Sequence, residues 1–229
     1  FMSQLFSPRA VGPLTLKNRV AIAPMCQYSA IDGVPQPWHV QHLGRLAISG
    51  AGLVIVEATG VEAAGRITPD DTGLWNDAQD EAFARINRDI RTYSDTPIGI
   101  QLAHAGRKAS TSAPWKGGGA LKAADGAWET FSASAEPFKD DWHTPTAMTP
   151  ADMDRVVAAF EDAASGAANA TLAAWLASRN ALPGRDGRYV VSQGREVGYD
   201  ARLQLRVDDA GDVWSGGHVR TIVTGQIDW

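Results

Sequence analysis

The chain has 229 residues, 44% of them hydrophobic and 21% charged, with a formal net charge of -5 and a pI near 5.5. This composition is ordinary for a folded protein of one large or two small domains and excludes a disordered chain. The acidic balance disfavours nucleic acid and anionic membrane as partners, because both need a basic surface, and a small molecule is expected instead.

The single cysteine, Cys26, cannot form an internal disulfide, and His39, His42, His104, His143 and His218 lack the spacing of a zinc site. A reducing cytoplasm and no bound metal are expected. No apolar run reaches the roughly 18 residues that would span a bilayer, and the N-terminal stretch has no basic flank followed by an apolar core.

From Leu16 to about Thr149, short apolar runs alternate with helical stripes, the grammar of an α/β fold with parallel strands. The run RVAIAPM, Arg19 to Met25, reads as a buried strand stopped at Pro24. WHVQHLGRLAISG places His39, Leu43, Leu46 and Ala47 at helical spacing, with Gly50 as its stop. AGLVIVEAT, Ala51 to Thr59, is almost wholly apolar, as a strand covered on both faces must be. DAQDEAFARINRDIRTY sets Phe83, Ile86, Ile90 and Tyr93 three or four apart, with acids in its first turn and Asp77 at the N-cap. TPIGIQLAHAG, Thr96 to Gly106, is a third strand that ends in polar residues and glycine.

The segment from Ser110 to Met148 holds KGGGA and three tryptophans, Trp115, Trp128 and Trp142, and is too long for a simple connection. It reads as a folded lid or rim. TPADMDRVVAAFEDAA then starts a helix at Thr149 as N-cap and Pro150 in the first turn, with Val156, Val157 and Phe160 on one face. The fourth apolar strand that should follow is missing. Instead Gly166 precedes a second helical stripe through Leu172, Trp175 and Leu176. Beyond Pro183 the pattern alternates with period two: Leu203, Leu205 and Val207 face one way, Arg202, Gln204 and Arg206 the other. Asp209 to Gly211 reads as a turn and VRTIVTGQI as a further strand, which is antiparallel grammar. The expected division is therefore 1–164 and 165–229.

By its residues alone, Cys26 is either an inert filler after a buried strand or a side chain facing a reactive centre. Six motifs in order bear on the choice: LTLKNRV, APMCQYS, VEATGVEAAGRIT, GLWND, GIQLAHAGRKA, and APWKGGG with a later WHTP. Together they make residues 5–164 resemble the N-terminal part of the flavin-dependent Old Yellow Enzymes, in the branch with cysteine beside the flavin. The resemblance implies a (β/α)8 barrel with FMN at the C-terminal ends of the strands, taking hydride from NADPH and passing it to the β-carbon of an electron-poor alkene. It places Ala23, Pro24, Met25 and Cys26 along the flavin, with Ala58 after the second strand and Gln101 on the third. It implies that Cys26 tunes the flavin potential and that Tyr28 contacts the substrate.

The amide of Gln101 can donate and accept at once, which suits a pyrimidine edge whose donors and acceptors alternate. Both His104 and Arg107 are polar at a strand end and either line the site or satisfy loop carbonyls. Lys108 is expected in solvent. His39 and His42 are expected to pack against or cap the first helix.

Residues 161–229 are similar to the C-terminal end of the PhzF-like isomerases and epimerases, with Asp162, Ser165, Gly166 and Ala167 at an acid and glycine-rich turn before a helix. Tyr199 stands where that family has arginine, and its catalytic glutamate belongs to an N-terminal half not found here. The expected architecture is about three β/α units of a TIM barrel followed by a small α+β segment with antiparallel strands. The flavoenzyme parts that follow the third strand, including the anion-binding histidine pair and phosphate loops, are not found. Weak or absent activity of this chain alone is expected. The alternatives are a recombined protein without catalysis, closing its sheet edges by forming a homo-oligomer, and an isomerase remnant without cofactor.

Overall fold

A computed structural model describes residues 3–11, 14–163, 188–193, 201–207 and 213–216. The chain falls into two units, Phe1–Ala163 and Ala164–Trp229. In the first, an antiparallel pair, β1 (Arg9–Val11) and β2 (Leu14–Leu16), precedes the alternating part. The sequence pattern does not announce this pair, because its strands are three residues each and mostly exposed.

β3 is only Ala21–Ile22, shorter than the apolar run that marks it. Pro24 has no amide to give a ladder, so the chain leaves the sheet early. α1 (Pro37–Ala47) buries His39, Leu43 and Ala47 of the expected stripe and leaves Leu46 half-buried. The turn after α1 passes through Gly50 at a φ of 89°, and Asn18 closes it by donating to the Gly50 carbonyl at 2.8 Å.

β4 (Leu53–Gly60) pairs in parallel with β3 on one side and with β5 (Ile98–Ala103) on the other. Between them lies α2 (Asp77–Arg91). Its N-cap is Asn76, whose side chain accepts the Gln79 amide at 3.1 Å, so Asp77 sits one position inside. Asp77 and Asp80 in the first turn and Arg88 and Arg91 in the last oppose the helix dipole. Phe83, Ile86 and Ile90 are buried as expected. Tyr93 is not: it lies two residues past the helix end and is 82% exposed. The core sits on one face of this sheet, where β4, with Val54 and Val56 buried, packs on α1, and α1 in turn packs on α2.

The long segment after β5 is ordered by specific bonds and contains two short strands paired in parallel, β6 (Phe131–Ser132) and β7 (Thr146–Ala147). The Trp128 indole donates to the Ala64 carbonyl at 3.1 Å, and the Arg66 guanidinium lies between the rings of Trp75 and Trp128, 5.5 and 5.2 Å from their centroids. α3 spans 150–163 and opens on a reciprocal cap: Thr149 donates its hydroxyl to Asp152 at 2.6 Å and accepts the Asp152 amide at 3.3 Å. Val156 and Phe160 are half-buried, but Val157, about 100° further round the helix, is exposed.

In the second unit β8 (Arg188–Gln193), β9 (Ala201–Val207) and β10 (Val213–Gly216) form an antiparallel sheet with β9 in the centre. β9 coincides with the period-two alternation seen in the sequence. The expected stripe through Leu172 and Trp175, the turn at Asp209, the strand VRTIVTGQI, and Ser165, Gly166, Ala167 and Tyr199 lie outside the described residues. Among the described residues, no helix is long and apolar enough to cross a membrane.

Candidate active site

At the C-terminal ends of β3, β4 and β5 the residues singled out from the sequence come together. Ala58 lies within β4, not after it, and stands in register with Gln101 of β5. Paired residues on neighbouring strands share a face, so both point to the side of the sheet away from α1 and α2. Gln101 is exposed there, while Val54 and Val56 are buried on the other side.

A β-bulge makes this arrangement. The ladder pairs Val56 with Ile100 and then Ala58 with Gln101, leaving Glu57 as the extra residue. Without it, strict alternation would bury Ala58 beside Val56. With it, Val56 and Glu57 are both buried in succession and Ala58 turns to the open face.

Cys26 sits next to Ala58. Burial pushes its thiol up, the negative charges of Asp71 and Glu57 push it further, and the Ala58 backbone and the Tyr28 phenol pull the other way. The Tyr28 hydroxyl is pushed up to about 12, chiefly by burial and then by Cys26. At neutral pH both groups keep their protons.

Tyr28 also has a φ of 47°, in the left-handed region where a bulky side chain is strained. Its ring meets that of Trp115 edge to face at 5.4 Å, which brings the long loop to the rim of the site. Ala23 and Met25 are exposed and Pro24 half-buried, so the strand end offers small or flexible side chains beside Ala58 and Gln101. A flat ring can approach such a row, and the Gln101 amide offers it one donor group and one acceptor.

Two acids were not singled out from the sequence. Asp71 is 3% exposed and accepts the Ile67 amide and the Thr68 hydroxyl, each at 2.7 Å. Burial pushes its carboxyl up to about 6. Within TPDDTG it looks like one more turn residue. Glu57 is 4% exposed, and the signal for it was present: one charge inside an otherwise apolar strand.

His39 caps α1 by accepting the Gln36 amide on Nδ1 at 2.9 Å, which leaves the proton on Nε2 to be donated to Glu57 at 3.0 Å. His42 is partly buried on α1, and burial pushes its imidazole down. His104 neither lines the Cys26 cluster nor satisfies a carbonyl. It accepts the Gly106 amide at 3.2 Å and donates to Glu62 at 2.9 Å, and Glu62 also binds Arg155 of α3. Arg107 faces Glu136 at 3.7 Å, and Lys108 is exposed, with its ammonium 4.3 Å from the Phe138 ring centre.

The model of the NADH:flavin oxidoreductase / NADH oxidase family, an FMN family, matches residues 4–173. The chain belongs to this family. A relative in Gibberella zeae, an NADH:flavin oxidoreductase, is 47% identical over 127 residues, covering 55% of this chain and 30% of that one. The NADPH dehydrogenase of Bacillus velezensis is 38% identical over 169 residues, covering 73% of this chain and 45% of its own. Among solved structures, morphinone reductase in complex with tetrahydroNAD superposes with a TM-score of 0.60 at 26% identity, over 73% of this chain and 47% of that one. An Old Yellow Enzyme homologue from Zymomonas mobilis does so at 0.59 and 27%, over 72% and 45%. The cofactor of the family is FMN, and NADPH is the donor that its dehydrogenases name. The chain spans less than half the length of these relatives.

Proposed function

We propose that this chain carries the ring-facing edge of an FMN site in an NADPH oxidoreductase that reduces electron-poor alkenes. The observation that supports this reading best is the in-register pair of Ala58 and Gln101 beside Cys26. When bound, FMN would supply a hydride carrier between NADPH and the alkene.

The chain's own residues would do the rest. Ala23, Pro24 and Met25 line the approach, and Gln101 hydrogen-bonds the ring edge through both ends of its amide. Cys26 contributes a neutral, polarizable thiol against the ring, where it influences the potential. Tyr28, which holds its proton at neutral pH, can donate a hydrogen bond to the activating carbonyl of the substrate. Weak turnover by this chain alone belongs to the same reading, as does a cytoplasmic setting.

A second reading is supported by the change from a parallel to an antiparallel sheet. In it, residues 165–229 derive from the PhzF-like fold, the whole is a recombined protein without catalysis, and association between copies covers its sheet edges. Titration of the purified chain with FMN separates the two. Quenching of flavin fluorescence, and bleaching of the bound flavin by NADPH, are expected from the first. Unchanged fluorescence across the titration overturns it.

A further inference from the structure

The segment Met25 to Ser29 has no ladder to hold it, yet it contains a strained residue. What holds it comes from β4 and α1. The Gln27 amide donates to one carboxylate oxygen of Glu57, while the other oxygen accepts His39 Nε2 at 3.0 Å. The Gln27 side chain is gripped as well: its amide oxygen accepts the Trp38 indole at 3.0 Å, and its amide nitrogen donates to the Met25 carbonyl at 2.8 Å. Glu57 reaches this position only because the bulge turns it inward.

Such a placement is costly unless it is fully bonded. A carboxylate 4% exposed beside a histidine 1% exposed has lost its water, and only good geometry on both oxygens restores it. The price falls where the bonds are useful: Glu57 fixes the backbone between Cys26 and Tyr28, one residue before the left-handed turn.

We propose that Glu57 is a positioning residue for Cys26 and Tyr28, bridging the Gln27 amide to His39 so that thiol and phenol are held at the sheet edge in one geometry. Glu57 has two separable effects on Cys26. Its charge opposes ionisation of the thiol, together with that of Asp71, and its reach sets where the thiol stands. The other ionisable groups around the cluster are Tyr28, His39 and His42. This inference rests on the flavin-edge reading for its purpose, but its geometry can be tested without flavin.

Cys26 is the only thiol in the chain, so alkylation by iodoacetamide reports on it alone. In the full chain, Glu57→Asp keeps the charge but falls a methylene short of spanning both partners, whereas Glu57→Gln removes the charge and one of the two bonds. Rates would be measured across pH below the unfolding transition seen by circular dichroism. Both variants should raise the limiting rate reached once the thiol is ionised, by roughly two- to tenfold, the factor that loss of one hydrogen bond allows. Glu57→Gln should also move the thiol titration to lower pH.

A Glu57→Asp profile identical to the unaltered chain overturns the proposal and leaves Glu57 acting by charge alone. Hydrogen exchange of the Gln27 amide in the unaltered chain gives an answer even if a variant does not fold. Strong protection is expected, and exchange at the rate of an exposed loop refutes the tether. FMN titration of the unaltered chain is run in parallel. Failure to bind flavin would count against the functional reading while the thiol rates still decide the role of Glu57.

Discussion

Asp71→Asn is the substitution whose consequence is best fixed by the structure. The carboxyl of Asp71 is buried and pushed up to about 6 from an ordinary 3.8, with burial outweighing the bonds from Thr68 and Ile67. The folded protein therefore binds the Asp71 proton more tightly than the unfolded chain does. Its contribution to stability is fully present below the unfolded value and is lost as pH rises through about 6. Two pH units at 1.36 kcal/mol each make that loss about 3 kcal/mol.

Asparagine has no charge to lose and can keep both contacts. Its oxygen accepts the Ile67 amide and its nitrogen donates to the Thr68 hydroxyl, which already accepts the Asp70 amide at 3.2 Å. Urea unfolding of both proteins from about pH 3 to pH 7.5 reads the difference directly. The stability of the unaltered chain minus that of the variant should fall by about 3 kcal/mol over this range. A difference that stays level or rises with pH would show that Asp71 is ionised at no cost and would refute the reasoning.

Two further outcomes follow from the same geometry. Tyr28→Phe removes the group that pulls the Cys26 thiol down, so the thiol should titrate at higher pH and alkylate roughly two- to fivefold more slowly near pH 8, with an unchanged or faster rate contradicting the contact. Gly52→Ala would place a Cβ 2.4 Å from the Asn18 carbonyl oxygen, a backbone atom with nowhere to go, and should cost roughly 1–3 kcal/mol in thermal unfolding.

The parallel core was legible in the sequence because its signals are local. Val54 and Val56, Leu43 and Ala47, and Phe83, Ile86 and Ile90 each lie in runs whose period states the element and whose buried face the structure bears out. Element ends were less legible: the caps at Asn76 and Asp77 differ by one residue, and either side chain is a good cap. Tyr93 and Val157 show the limit of reading a stripe without its end or its partner. Pairings between distant residues left no local trace. Nothing near Gln27 points to Glu57, 30 residues away, or to the Trp38 indole that holds its side chain. For His104 the sequence leaves a site role and a bond to a loop carbonyl equally open, because strand ends in such folds carry chemistry. Its actual partner, Glu62, comes from the preceding strand's loop and serves to join α3 through Arg155.

The single extra residue in β4 separates what the sheet needs from what the neighbouring segment needs. Deleting position 57 would join Val56 to Ala58 in a plain ladder, with Val56 still opposite Ile100, Ala58 still opposite Gln101 and Thr59 still at hand for Thr72, so both faces of the strand would survive the loss. What would vanish is the one carboxylate that joins the Gln27 amide to His39. The bulge is therefore dispensable to the strand that contains it and serves the stretch of chain that carries Cys26 and Tyr28.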